Sequence, residues 1–481
     1  MHFIFILMIC LSSFANASLS IPNRVNSLIL ENKDLTNKIS MSIQVKNLKS
    51  GKEIYALNPY QRMVPASVTK SFIAYAALAY LKPDFTYKTQ ILSKLKKIDS
   101  NGTLNDNLYI KFSGDPSLTK LDLSKLIAQL KTKNIKRING DIIIDDQIFD
   151  QAYQAEGWSW DDNKFCYAAP TSAIVIDQNC FQMILKDGAL FVNVDPEKAP
   201  KNACATCTPN SFYKVFAKFN LNLTTKDDPT CTPHLTANPD NSYSLTGCLD
   251  TKAKDLPLRI AYQDPRLMVS ALIESLLADQ AIEFNKQIFF KAVPNGYDVI
   301  AQHKSQNLSY LVTQMMKNSD NIAADNFVKT IGAVYYKTQG SFKNGLSAIT
   351  KILSADLKID FAQIRIVDGS GGSRYNLISS DQLVSLYIAA RKNSNIWPYF
   401  YDSLAVSAID GSIKNKFPDY PELHGKIHAK TGSMGGVSNL AGYLELNNGE
   451  TLVFAIMLNG YIGPRAEAAK FIEQVLAAIA E

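Results

Sequence analysis

The stretch Val64-Pro65-Ala66-Ser67-Val68-Thr69-Lys70-Ser71-Phe72-Ile73-Ala74-Tyr75-Ala76-Ala77-Leu78-Ala79-Tyr80-Leu81, closed by Lys82-Pro83, decides how the rest of the chain is read. It predicts one helix, apolar nearly all round and therefore buried, that the proline stops. Ser67 and Lys70 then share one face of its first turn. At that end the free backbone N–H groups and the positive pole of the helix dipole favour an oxyanion. A lysine amine one step from a serine hydroxyl is a base beside a nucleophile.

The spacing alone is weak, because Ser93/Lys96, Ser117/Lys120 and Ser211/Lys214 share it. The competing reading of Ser67 is a helix N-cap with a solvent-facing Lys70. What sets Ser67 apart is the buried helix behind it and two partner motifs downstream. Lys317-Asn318-Ser319-Asp320-Asn321 carries an S-x-N at a helix start, a spacing also found at Ser305-Gln306-Asn307 and open to a plain capping explanation. Lys430-Thr431-Gly432 is more informative, since such a triplet is expected roughly 0.1 times in a chain of average composition. It lies on a predicted strand before the small residue Ser433; the competing reading is an edge-strand lysine ahead of a turn.

With 481 residues, 46% hydrophobic and 20% charged, the chain is ordinary globular material for two or three domains. Residues 1–17 read as a secretory signal, with an apolar run from Phe3 to Leu11 and a small-x-small site at Ala15-Asn16-Ala17. The absence of Lys or Arg before the run departs from the usual signal pattern; its length, short of the ~20 residues of a membrane span, disfavours an uncleaved anchor. An exported, periplasmic or cell-envelope protein is therefore expected. The net charge of +6 suits anionic envelope polymers and leaves room for peripheral contact with a membrane surface. No nucleic-acid recognition motif is present.

Cys10 leaves with the signal. Cys166, Cys180, Cys204, Cys207, Cys231 and Cys248 remain, an even number that in an exported chain reads as disulfides of open connectivity. Cys204-Ala-Thr-Cys207 lacks the second close pair of a zinc site. His2, His234, His303, His424 and His428 offer no triad context, and His424/His428 fall on a strand rather than on one helix face. No metal or cofactor is expected in the chemistry.

Along the chain, a short helix over Pro22–Leu30 precedes a hairpin, the strand Met41–Asn47 turning at Lys49-Ser50-Gly51-Lys52. From Tyr87 strands such as Leu108–Phe112 and Asp141–Ile144 alternate with a helix over Leu121–Lys131. The stretch 178–250 is rich in Asn, Thr, Asp and Pro. Helices return over Leu308–Met316, Ile322–Tyr336, Lys343–Leu353 and Ser380–Lys392, then strands over Gly425–Ser433, Ser438–Leu446 and Thr451–Asn459, and a closing helix over Ala466–Ala480. That last helix carries both acidic and basic polar positions, so it reads as packed on the sheet rather than lying on a membrane.

Taken together, Ser67/Lys70, Ser319/Asn321 and Lys430/Thr431/Gly432 form a three-part signature known from penicillin-binding proteins and class A β-lactamases. The chain resembles the class C, low-molecular-mass penicillin-binding proteins, the D-alanyl-D-alanine carboxypeptidase/endopeptidases of the penicillin-binding protein 4 type. Ser113-Gly114-Asp115-Pro116, Gly157-Trp158-Ser159-Trp160-Asp161-Asp162, Tyr167–Pro170 with Ser172-Ala173, and Asp368–Gly371 with Ser373-Arg374-Tyr375-Asn376 carry that resemblance, as does the long insertion between the first and second motifs. Gly372 departs from it, standing where the family often has a bulkier apolar residue.

The resemblance implies an α+β fold, a serine β-lactamase-like penicillin-binding domain with an antiparallel sheet flanked by helices, over 18–86 and 297–481. It carries two nested accessory domains, 87–177 with 251–296, and within it the cysteine-rich 178–250. The implied substrate is the peptidoglycan stem peptide, with β-lactams as covalent inhibitors. Ser67 is the expected nucleophile and Lys70 its base, with a pKa lowered by burial and by Lys430. Ser319 relays the proton, Asn321 holds the substrate amide, and Lys430 and Thr431 take the terminal carboxylate. Gly432 lets substrate backbone lie against the strand, and the N–H groups of Ser67 and Ser433 form the oxyanion hole. Arg374 reads either as a carboxylate ligand or as half of a structural ion pair. A serine β-lactamase is the first rival, disfavoured by the insertion and by the lack of an E-x-x-L-N-like segment; a non-catalytic wall-binding protein of the same fold is the second.

Overall fold

The structure, a computed structural model, describes residues 20–186, 189–192, 218–250, 252, 256–357 and 359–481. The signal segment, Cys10, Cys204, Cys207 and the Ser211/Lys214 pair lie outside these residues.

A six-stranded antiparallel sheet is built from both ends of the chain. Its order is Ala405–Val406, Ile427–Met434, Val437–Glu445, Thr451–Asn459, Ser40–Asn47 and Glu53–Leu57. The N-terminal hairpin docks on the last strand, with Gln44 opposite Ala455 and Ser40 opposite Asn459. The strand Thr451–Asn459 is apolar on both faces because both are covered. Val453, Ala455 and Met457 face a helical layer that includes Phe72, Tyr75, Phe327 and Tyr387. Leu452, Phe454, Ile456 and Leu458 face the closing helix Arg465–Ala480 through Phe471, Ile472, Val475 and Leu476, as alternation along a strand requires. That helix is packed on the sheet, as expected.

The helical layer comprises Lys70–Tyr80, Leu308–Asn318, Asn321–Tyr336, Phe342–Asp356 and Ser380–Lys392. Lys70–Tyr80 is buried over Lys70–Leu78. It does not begin at Val64 as one continuous helix. A 3-10 turn over Ala66–Thr69 precedes it. Pro65 and the positive φ of Ala66, 48°, tighten the chain there, and Ser67 sits on the tight turn, not on the α-helix.

Between Leu81 and Leu308 the chain leaves this body. A five-stranded sheet, ordered Ile288–Phe290, Ile142–Asp145, Leu108–Lys111, Lys88–Ser93 and Asp298–Lys304, packs with the helices Lys120–Thr132 and Pro265–Asp279. Asp298–Lys304, beyond the boundary expected at 297, pairs with Lys88–Ser93, His303 opposite Thr89, and so belongs to this sheet. Leu235, Tyr243, Leu245 and Leu249 of the cysteine-rich stretch join the same apolar cluster as Ile110, Ile144 and Leu272. Disulfides link Cys166 to Cys180 and Cys231 to Cys248. No helix among the described residues is long and apolar enough to cross a membrane.

The insertion is tied to the helical layer by polar contacts, most of them to one helix. From Asn321–Tyr336, Asn326 Nδ2 donates to the carbonyls of Gly114 (2.9 Å) and Ser172 (3.0 Å). Lys329, its side chain fully buried, reaches Asp150 at 2.7 Å and the Ala152 carbonyl at 2.6 Å. The sequence landmarks at 113–116 and 172–173 therefore lie where the two parts meet.

Candidate active site

Three segments distant in sequence converge at the first turn of the buried helix. Lys70 is fully buried, and its Nζ donates to Ser67 Oγ at 2.9 Å, Asn321 Oδ1 at 2.7 Å and the Ser370 carbonyl at 2.5 Å. The ammonium form spends its three hydrogens on these contacts, and the neutral amine keeps two of them and turns its lone pair to the Ser67 hydroxyl. Ser67 has no helix-capping role, and Lys70 does not face solvent, so the capping alternative fails for this pair.

The second motif sits on a sharp corner. Ser319 ends Leu308–Asn318 in the left-handed region at φ 57°, and Asp320 caps the next helix by accepting the Ala323 N–H at 3.1 Å. Because Asp320 takes the cap, the side chains on either side are free for other partners. Ser319 Oγ receives Lys430 Nζ at 3.0 Å, and Asn321 donates its amide to the Tyr167 carbonyl at 2.6 Å while accepting from Lys70.

Lys430 is fully buried on Ile427–Met434, and its Nζ also donates to its own neighbour's carbonyl, that of Thr431, at 3.0 Å. Thr431 Oγ1 pairs with Ser412 Oγ at 2.8 Å. Gly432 packs against the serine turn itself: a Cβ there would lie 2.4 Å from the Pro65 carbonyl and 3.1 Å from the Val68 nitrogen. Its lack of a side chain serves this contact, a demand on the position separate from the approach of substrate backbone. Asn439 on the neighbouring strand fastens the same turn by donating to the Val64 and Pro65 carbonyls at 3.0 and 2.8 Å. Ser433 is exposed on the strand. Arg374 lies apart at the rim, exposed, donating to the Gly435 carbonyl at 2.8 Å. Among the described residues no ion pair of Arg374 occurs.

Burial draws the Lys70 amine down from its ordinary 10.5 to about 8, against the opposing charges of Asp325, Asp368 and Asp320. Desolvation thus carries the depression, whereas the sequence reading had shared it with Lys430. Burial, and then the cation of Lys70, press Lys430 well below its ordinary value.

Residues that the motifs did not reveal complete the site. Asp368 accepts Gly371 N–H (2.8 Å), Ser373 N–H (2.7 Å), Asn376 Nδ2 (2.7 Å) and Trp158 Nε1 (2.9 Å), so it winds the 368–376 loop around one carboxylate. Asp325 accepts the N–H groups of Gly369 and Ser370 at 2.7 and 3.0 Å. The loop is pressed against the serine turn, a Cβ at Gly371 falling 2.0 Å from the Ala66 carbonyl. In the sequence this loop carries the family resemblance and, Arg374 apart, no role. Asp325 had one available signal: it stands four residues after Asn321, on the same helix face. Among the described residues no cluster of ligating side chains could hold a metal ion.

Residues 23–481 match the family model described as the D-Ala-D-Ala carboxypeptidase 3 (S13) family. A D-alanyl-D-alanine carboxypeptidase of Haemophilus influenzae is 32% identical over 456 residues, 94% of this chain and 92% of that protein. The crystal structure of penicillin binding protein 4 from Haemophilus influenzae superposes with a TM-score of 0.82 at 29% identity, covering 95% of this chain and 98% of that one. The same protein complexed with a β-lactam gives 0.78 at 28% identity, over 95% and 99% of the two chains. Sequence match, fold and the meeting of the three motifs agree: the chain belongs to the D-Ala-D-Ala carboxypeptidase 3 (S13) family of serine peptidases.

Proposed function

We propose that the chain hydrolyses the D-Ala-D-Ala end of peptidoglycan stem peptides, or a peptide cross-link of the same stereochemistry, through an acyl-enzyme on Ser67. The observation that carries this is the chain of contacts from Ser67 through the buried Lys70 to Asn321, with Ser319 on the buried Lys430 beside it. Neutral Lys70 takes the Ser67 proton as Oγ attacks the carbonyl. The oxyanion forms toward the N–H groups of Ser67 and Ser433, a donor in such a hole being worth about 3 kcal/mol. As the intermediate collapses, the Ser319 hydroxyl gives its proton to the departing D-alanine amine and takes in exchange the one that Lys70 drew from Ser67, so both groups return to their starting forms before water releases the acyl group. Asn321 holds the peptide amide; Lys430 and Thr431 receive the terminal carboxylate, with Arg374 at the rim. An arriving carboxylate favours the charged form of Lys430, offsetting the burial that presses its pKa down.

β-Lactams acylate Ser67 in this reading because their amide mimics the dipeptide end, and the relative solved with a β-lactam supports it. The work belongs to the cell envelope, reached through the signal read in residues 1–17, with 87–177, 178–250 and the stretch from 251 through the strand Asp298–Lys304 as accessory domains beside the site. Incubation with a fluorescent penicillin followed by mapping of the label tests the assignment. Label on Ser67, with an adduct lasting minutes and release of D-alanine from a D-Ala-D-Ala tripeptide, is expected. Label elsewhere, or none, overturns it; a millisecond adduct would instead mark a β-lactamase. Digestion of cross-linked muropeptides, with products weighed by mass spectrometry, separates carboxypeptidase from endopeptidase action.

A further inference from the structure

Asp325 is fully buried on Asn321–Tyr336, one turn beyond Asn321. Its Oδ1 accepts two successive backbone N–H groups, those of Gly369 and Ser370. The carbonyl of that same Ser370 receives Lys70 Nζ at 2.5 Å and lies 3.4 Å from Ser67 Oγ. One carboxylate oxygen thus fixes the peptide that fixes the amine. The other oxygen, Oδ2, is buried with no hydrogen-bond partner among the described residues, an arrangement that is costly for a carboxylate unless a nearby cation compensates it. Lys70 is one such cation and Lys329, one turn further along the same helix, is a second; Asp368 and Asp320 are the acidic groups nearby.

We propose that Asp325 is a positioning residue for acylation: it clamps the Ser370 carbonyl against the Lys70 amine, and its charge sets the pH at which that amine becomes a base. The inference rests on Ser67 and Lys70 acting as described above. Burial and the charge of Asp368 raise the Asp325 carboxyl while burial lowers the Lys70 amine, so the two titrate toward one another and hold protons jointly. A side chain that merely filled space or tied the loop would leave the pH dependence of the amine untouched.

The test is the second-order acylation rate with fluorescent penicillin, followed across pH in wild type, Asp325→Asn and Asp325→Ala, with circular dichroism checking each fold. Asparagine can still accept both N–H groups through Oδ1 but carries no charge. Its acidic limb is expected to move to lower pH by about one unit, the low end for loss of a nearby opposite charge. Its plateau should fall a few-fold, because a less basic amine is a weaker base. Alanine also loses the clamp, so its plateau should drop by at least about ten-fold. A limb that stays in place in every folded variant overturns the proposal. So does failure of all variants to fold, since the clamp is argued to survive neutralisation of the charge. Wild-type protein that takes no label on Ser67 would instead overturn the reading of the site itself.

Discussion

Gly432→Ala measures how closely the strand and the serine turn must approach. The added Cβ would stand 2.4 Å from the Pro65 carbonyl oxygen, where ordinary contact begins at 3.4 Å, so the two backbones must part by 3.4 − 2.4 = 1.0 Å along that line. Neither neighbour can swing aside. Pro65 is ring-constrained, and its carbonyl is held by Asn439 at 2.8 Å. Overpacking of this kind costs about 1–3 kcal/mol of stability. A displacement of about 1 Å between reacting groups slows chemistry by about 10²-fold, and here it separates Ser67 from the strand that bears Lys430 and Ser433. The assays are penicillin acylation rate, D-alanine release and urea unfolding. Gly463→Ala is the control, since its Cβ meets the end of the Glu467 side chain at 3.6 Å, an ordinary contact away from the three motifs. Acylation by Gly432→Ala within about two-fold of wild type, at unchanged stability, would refute the reasoning.

Lys70→Ala should lower acylation by about 10²- to 10⁴-fold, the worth of a general base, while circular dichroism stays native; near-normal acylation would show that another group is the base. Because the Lys70 amine loses its proton near pH 8 rather than 10.5, acylation should rise as pH passes through about 8. Between those values the unfolded chain binds more protons than the folded one, so the stability difference between wild type and Lys70→Ala should move in favour of wild type with rising pH, as urea titrations at several pH values would show. Lys329→Ala should cost about 3 kcal/mol, the low end for one partner of a buried ion pair, because the stranded Asp150 is 31% exposed and can rehydrate. Replacing Cys166 and Cys180 by serine removes a bridge across 14 residues, worth about 3 kcal/mol, and should also slow acylation, because Tyr167 beside it offers the carbonyl that orients Asn321. The same change at Cys231 and Cys248 should lower stability and leave acylation alone.

The elements that sequence places best are those whose pattern reflects burial. Thr451–Asn459 and Ser380–Lys392 appear as read, one from an unbroken apolar run and the other from a serine start and helical spacing. The start of the serine helix was legible only in part, since a 3-10 turn and an α-helix share the same apolar periodicity over four residues. Asp298–Lys304 escaped because its partner, Lys88–Ser93, lies some two hundred residues away, and strand pairing at that range leaves no local mark. In the site, Ser67, Lys70, Ser319, Asn321 and Lys430 were legible because fixed spacing announced them. Asp325 and Asp368 were not, because an aspartate that serves backbone N–H groups looks, in sequence, like one facing water. The packing demand on Gly432 was hidden for a related reason: the carbonyl its missing Cβ makes room for belongs to Pro65, 367 residues earlier.

The sheet that carries Lys430 is completed by strands from opposite ends of the chain, Ser40–Asn47 lying against Thr451–Asn459. As the polypeptide emerges from its first residue onward, the hairpin must wait for the final strand before it joins the sheet, and the serine turn must wait for Gly432 and Asn439 on the two strands just before that last one. The insertion can meanwhile gather its own core from residues that are already out. Hydrolytic power therefore arrives abruptly and last, and a chain interrupted before residue 451 would carry all three motifs and assemble none of them into a working centre.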